Sequence, residues 1–239
     1  MREIQDISFN LSLGKILTGN DMYYLLSPEL KSVDPVHYGD VFELDSTFFM
    51  IGYLLSRQST QFTMLDIGAN IGYYSVLTSC LCPKSIIYSF EPHPAVFTAL
   101  QKNAEIYKNI HPIQCGISNE NKESVLYCDN KNIGGHSFLE DGFGKSFNNG
   151  HFDEETMYKI PSCLKTISSF NIDFSKIYLV KIDVQGLEKN VLEDIYDKVP
   201  SGALFMAEFF DGHEEFFISK NPLLCFKIEK DHNIICVKR

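Results

Sequence analysis

No apolar run in this 239-residue sequence approaches the roughly 18 residues needed to span a bilayer. The opening stretch, MREIQDISFNLSLGKIL, mixes acidic residues with short apolar pieces. Without a long hydrophobic core it does not read as a secretory leader. The expectation is a cytoplasmic protein with no stable membrane insertion. Basic charge is also scarce: 21 Lys and Arg stand against 31 Asp and Glu, a net charge of −10. Such a surface repels phosphate backbones, and no Lys/Arg cluster offsets it, which argues against a general nucleic-acid binder. The seven cysteines form no CxxC pair, and Cys80-x-Cys82 has poor spacing for a zinc knuckle. They read as free thiols in a reducing compartment. The seven histidines are scattered without an HxxxH or HxH pair, so no metal ligand is assigned.

What is present is an alternation of strand and helix signals. FTMLDIG, from Phe62, is a short apolar run that meets a turn, and IGYYSVLTSCL follows at helical spacing up to Pro83. SIIYSFEP reads as a second strand ended by Pro92. Pro94 then starts the helix AVFTALQKNAEIY. HPIQCGIS is a third strand, ESVLYCD a short one with period-two alternation, and IYLVKIDV a buried strand that leads into the helix EKNVLEDIY. ALFMAEFF is one more strand. LLCFKIEK and NIICVKR read as a closing antiparallel hairpin turned by Asp231, His232 and Asn233. This pattern predicts an α/β fold with a mostly parallel sheet and helices on both faces. Residues 1–60 read as an N-terminal extension packing on a core domain of residues 61–239. Phe48–Leu55 is an apolar helix that suits the core or a subunit interface equally well. Residues 129–160 are too long and glycine-rich for a plain connection, and read as an insert covering a bound molecule.

Three motifs stand at the predicted strand ends. Asp66-Ile67-Gly68-Ala69-Asn70-Ile71-Gly72-Tyr73 has the spacing G-x-N-x-G rather than G-x-G-x-x-G. Gly68 permits a tight turn and Gly72 lets the helix approach the strand. An acid before the loop and Asn70 within it suit a ligand with an amino-acid end better than a pyrophosphate. Glu91 lies 23 residues beyond Gly68, where an acid can accept both ribose hydroxyls of an adenosyl group. Lys181-Ile182-Asp183-Val184-Gln185-Gly186 closes a further strand. Asp183 is placed to reach a transferring group, with Lys181 on the same face. Equally, the two could be an ion pair that only orders the site.

In this order DIGANIGYYS, FEPHP, ALQKNAEIY with Asn103, CGISNENKESVLY and KIDVQGLEKNVLED resemble the FkbM family of methyltransferases, over about residues 62–210. The resemblance implies a class I, Rossmann-like sandwich with a seven-stranded sheet and a C-terminal antiparallel hairpin. It implies S-adenosyl-L-methionine (SAM) as cofactor, S-adenosyl-L-homocysteine as product, and transfer commonly to a hydroxyl of a sugar, glycan or other small molecule. By the same resemblance Asp66, Gly68, Asn70 and Gly72, with adjoining Tyr73, hold the methionine part of SAM. Glu91 binds the ribose, Ile117 and Ser118 flank the adenine, and Asp183 stands at the mouth of the central strand. The chain departs from the family at Cys163-Leu164-Lys165, Gln185 and Phe210, which bears on the acceptor and the base.

A hydroxyl needs a base or an electrostatic partner to attack the methyl group. Asp183 ranks first, then Glu208 at the end of ALFMAEFF and His136 in the insert, where loop closure would have to carry it in. His213 is a further candidate, which could equally cap a helix together with Asp211. Phe138, Phe143, Phe147 and Phe152 could stack on a sugar or simply pack the insert. Two other readings stand beside this one. A nicotinamide-dependent oxidoreductase suits Glu91 but lacks G-x-G-x-x-G, and a catalytically degenerate SAM-binding protein fits the altered positions. Base methylation is opposed by the acidic charge and by the lack of an Asn-Pro-Pro-Tyr-like motif.

Overall fold

The computed structural model describes residues 42–129, 134–140, 157–208 and 213–239. Its first element is helix α1, Leu44–Leu55. Strand β1 (Thr63–Ile67) runs through the loop into α2 (Tyr73–Leu81), and β2 (Ile86–Phe90) into α3 (Pro94–Ile106). Then come β3 (Ile110–Ile113), β4 (Gly116–Ile117), β5 (Lys122–Asp129), β6 (Met157–Lys165) and β7 (Ile177–Ile182). The chain ends through α4 (Glu188–Ile195), β8 (Leu204–Glu208), α5 (His213–Ser219), β9 (Leu224–Ile228) and β10 (Asn233–Val237).

Seven strands form the main sheet in the order β3-β2-β1-β7-β8-β10-β9. The first five are mutually parallel, and β10 runs antiparallel to both β8 and β9. This is the class I, Rossmann-like arrangement expected from the sequence. All five residues of β1 are buried because the strand is covered on both faces. Leu65, Ile67, Val180 and Ile182 pack with Val191, Leu192 and Ile195 of α4 on one face. On the other, Met64, Leu179 and Met206 pack with Met50 and Leu54 of α1 and Val76 and Leu77 of α2. The apolar helix expected around Phe48–Leu55 thus lies on the core, pinned by the Tyr53 hydroxyl donating to the Tyr178 carbonyl at 2.9 Å.

Two expectations change. HPIQCGIS is not one strand: Ile110–Ile113 joins the main sheet, while Gly116–Ile117 pairs with β6 in a separate three-stranded sheet ordered β4-β6-β5. ESVLYCD lies in this small sheet as well, antiparallel to β6 over eight residue pairs. Residues 157–160, assigned from sequence to the insert, are therefore strand. Pro161 hides β6 from a pattern reading, because proline lacks the N–H a central strand uses. Finally, the hairpin turn is Glu229–Asp231 with His232 in a left-handed conformation, and Asn233 is already a buried strand residue.

Candidate active site

The carboxyl ends of β1, β2, β7 and β8 converge on one cluster of acids. Gly68 leaves β1 at φ +77°, and its N–H and that of Ala69 both donate to the Phe90 carbonyl. A Cβ on Gly68 would stand 1.7 Å from the Asp183 carbonyl oxygen, so the turn threads between the ends of β2 and β7 with no space to spare. Gly72, at φ +92°, is the N-cap of α2, and a Cβ there would meet Leu100 at 2.7 Å. Between them Asn70 adopts φ +51°, and its side-chain oxygen accepts from Ile71 N at 2.8 Å. Asn103 of α3 braces the loop by donating to the Ile71 carbonyl at 2.6 Å. Tyr73 is buried against Phe42 and Tyr74.

Glu91 is 6% exposed, one residue past β2. Its Oε2 accepts from Asn70 N at 3.0 Å and its Oε1 from His93 N at 2.9 Å. Burial pushes its carboxyl up to about 7, against the pull of those two amides. A buried carboxylate with one amide on each oxygen keeps lone pairs for further donors, and two neighbouring hydroxyls are such donors. Ile117 and Ser118 are buried where β4 ends, with Ser118 N donating to the Lys165 carbonyl.

Asp66 and Lys181 are register partners on β1 and β7. Asp66 accepts from the Ser75 hydroxyl, which also bonds Ser89, and burial pushes its carboxyl up to about 6. The Lys181 ammonium, 2% exposed, lies 3.5 Å from Asp183 Oδ2. Burial lowers its basicity, but Glu43, Asp183, Glu208 and Asp66 outweigh that and raise it. Gln185, at φ +55°, donates from Nε2 to Asp183 Oδ1 and Glu208 Oε2, each at 2.6 Å. It thereby bridges two of the candidate bases. Burial and the neighbouring Asp183 raise Glu208 well above the ordinary carboxylate range. Glu43, from a segment without any motif, completes the ring: its Oε2 accepts from Tyr74 and Asn233, and burial raises its carboxyl too. Four acids thus surround one buried ammonium, more carboxyl oxygens than that cation can pair, which suits a cationic ligand.

His136, a candidate base that loop closure would have to carry in, is instead held against α3's N-cap. Its ring stacks on His93 with centroids 4.2 Å apart, and burial pushes its basicity down to about 3. A nitrogen so weakly basic is a poor proton acceptor at neutral pH. The next residue, Ser137, bridges to Tyr127 and donates from its hydroxyl to the Gln185 carbonyl at 2.7 Å. Phe138 packs on Gly116 and Leu139 on Gly186. Residues 134–140 therefore strap the small sheet to the β7 loop. The remaining insert phenylalanines, Phe143, Phe147 and Phe152, lie outside the described residues, as do Phe210, Asp211 and the His213 side chain.

The sequence reading missed a second buried acid at this turn. Glu188, 0% exposed, accepts from Val184 N and Gly186 N, and burial pushes it up to about 7. Its folded value lies above the unfolded 4.5, so the native state holds the proton more tightly. That contribution is fully present below about pH 4.5 and is lost as pH rises through about 7. Relative to Glu188→Gln, wild-type stability should fall by about 3 kcal/mol across this window. Thermal melts of both proteins between pH 5 and 8 check it. Parallel pH profiles would remove Glu188 as the cause.

The sequence profile described as Methyltransferase FkbM domain matches residues 66–216, well over half of the chain. Methyltransferase 1 of Beauveria bassiana is 28% identical over 146 residues, covering 56% of this chain. The chain spans 59% of that relative's length. Among solved structures, a Staphylococcus aureus protein assigned as a caffeoyl-CoA O-methyltransferase superposes with a TM-score of 0.51 at 11% identity, covering 88% of each chain. A Klebsiella pneumoniae protein assigned as an O-methyltransferase gives 0.50 at 12% identity, covering 91% of this chain and 90% of that one. At these identities the structures speak for the fold alone. No described helix is long and apolar enough to cross a membrane. With the G-x-N-x-G turn, the acid after β2 and the acid after β7 in their places, the chain belongs to the FkbM methyltransferase domain family.

Proposed function

We propose that the protein transfers a methyl group from SAM to a hydroxyl of a sugar, glycan or other small-molecule acceptor. The observation that carries this is the ring of Glu43, Asp66, Asp183 and Glu208 around Lys181, beside the buried carboxylate of Glu91. An acid-rich end suits a cofactor carrying both an ammonium and a sulfonium, and Glu91 suits its ribose diol. SAM supplies a methyl carbon already activated by the positive sulfur. The protein's part is alignment and handling of one proton. The Gly68–Gly72 turn and Asp66 would hold the amino-acid end. Ile117 and Ser118 line the base. Asp183, partly exposed at the mouth of β7, would take the proton of an acceptor hydroxyl, while bound SAM would supply the activated methyl group and its sulfur would keep the bonding pair. Gln185 and Lys181 fix the two Asp183 oxygens, while Glu208, accepting from the same Gln185 amide, orders Gln185. The turn before α2 has the spacing G-x-N-x-G rather than G-x-G-x-x-G, with the Asn70 side chain folded onto Ile71 N, which disfavours the nicotinamide reading.

The first test is calorimetric titration with S-adenosylhomocysteine, which should bind at micromolar concentration. Absence of binding by folded protein would overturn the proposal. Methyl transfer from labelled SAM is then measured across hydroxylated acceptors. With a competent acceptor, Asp183→Asn should lose about a hundredfold in kcat, with cofactor affinity changed by no more than about threefold. Tight cofactor binding with no transfer to any acceptor would favour the degenerate reading.

A further inference from the structure

Beyond the acid ring, on the outer side of Glu91, the fold brings together three donors from separate segments. His93 is the N-cap of α3, Cys128 lies near the end of β5, and His136 belongs to the strap. One ligand atom from each lies within 4.8 Å of the other two. No spacing in the sequence announces this, because 35 and then 8 positions separate the three. His136 Nε2 is buried and has no hydrogen-bond partner, which is costly for a polar atom unless something fills the position. The Tyr158 hydroxyl joins the group, 2.7 Å from His93 Nε2.

The geometry points to a structural zinc site held by His93 Nε2, Cys128 Sγ and His136 Nε2, with Tyr158 Oη or a water in the fourth position. Two imidazoles and a thiolate are a borderline-soft donor set that suits zinc. Zinc–nitrogen and zinc–sulfur bonds of about 2.0–2.3 Å place ligand atoms roughly 3.3–3.8 Å apart. The donors need to contract by about 1 Å from their present limit, and the His93–His136 stack must open so that both rings turn an in-plane nitrogen toward the ion. Two protons must move. Cys128 releases its thiol proton, which now points to the Leu126 carbonyl at 3.6 Å. His93 Nδ1 accepts from Val96 N over a long 3.3 Å, so its ring proton sits on Nε2. Zinc at Nε2 shifts that proton to Nδ1 and breaks the Val96 bond. The ion would staple the strap to the β2–α3 turn and to the small sheet, and so fix Ser137 on the Gln185 carbonyl.

The test uses the full chain, stripped with a chelator and titrated with cobalt(II) as the visible probe. Wild type should develop the thiolate-to-cobalt charge-transfer band and the intense d–d bands of a four-coordinate site, and zinc should abolish both. Cys128→Ser should lose the charge-transfer band. His136→Gln, which removes an atom with no partner, should fold normally by circular dichroism and bind cobalt at least a hundredfold more weakly. No bands in wild type would overturn the site, as would a charge-transfer band persisting in Cys128→Ser or unchanged affinity in His136→Gln. S-adenosylhomocysteine titration of the same samples reports the methyltransferase reading separately. The metal result stands or falls without it.

Discussion

Gly68→Ala is expected to melt roughly 10 °C below wild type and to lose S-adenosylhomocysteine binding. Two costs combine. The turn needs φ +77°, where a side chain strains the backbone by about 1–2 kcal/mol. The larger cost is steric. The new methyl carbon would lie 1.7 Å from the Asp183 carbonyl oxygen and 2.7 Å from its carbon. Neither atom belongs to a flexible side chain. Asp183 N is itself bound to the Ile67 carbonyl at 2.9 Å, so β7 moves only by tearing away from β1. A total of about 4 kcal/mol follows, and in a domain of this size each kcal/mol is worth about 2–4 °C. Differential scanning calorimetry measures it. A variant melting within about 2 °C of wild type would show that β1 and β7 do not approach this closely.

Glu91→Ala should weaken S-adenosylhomocysteine binding by about a thousandfold, while the unliganded protein melts close to wild type. Two hydrogen bonds from the ribose to a charged acceptor are worth roughly 3–6 kcal/mol together, and a thousandfold is about 4 kcal/mol. Stability behaves differently because Glu91 carries opposed contributions without ligand. It satisfies the Asn70 and His93 amides, yet its carboxylate is held in a site that penalises charge. Removing it cancels most of one against the other. Glu91→Gln keeps an acceptor oxygen but turns the other into a donor facing an amide, and should lie between the two. Calorimetric titration and melting curves on the three proteins separate ligand contact from loop support. Wild-type affinity in Glu91→Ala would place the ribose elsewhere.

The parts of the site legible in the sequence were those made by neighbours along the chain. Gly68, Asn70 and Gly72 lie within one turn, and the two glycines marked the tight turn and the close helix–strand approach that the backbone shows, while the left-handed Asn70 between them carried no signal of its own. Strand and helix alternation likewise gave the parallel order, since a parallel crossover demands a helix between strands. Illegible parts depended on distant pairing. Glu43 reaches the site through Tyr74 and Asn233, the second 190 positions away, and nothing local marks it. The small sheet was missed because β6 pairs across the insert and carries Pro161. His136 looked like a loop histidine because its stacking partner His93 lies before it by more than forty residues. Gln185 was noticed only as a departure from the family, although its single amide nitrogen contacts both acids.

The meeting of Gly68 with the Asp183 carbonyl also sets a schedule for synthesis. The turn after β1 is translated early, but the wall it rests against arrives about 115 residues later, which at ribosomal speeds is roughly 6 to 23 s. During that interval β1 has only β2 beside it. Its other edge, the backbone of Thr63–Ile67, is unpaired and open to other nascent chains. Premature termination anywhere between β2 and β7 therefore releases a fragment with a bare strand edge, and such fragments should be strong chaperone clients.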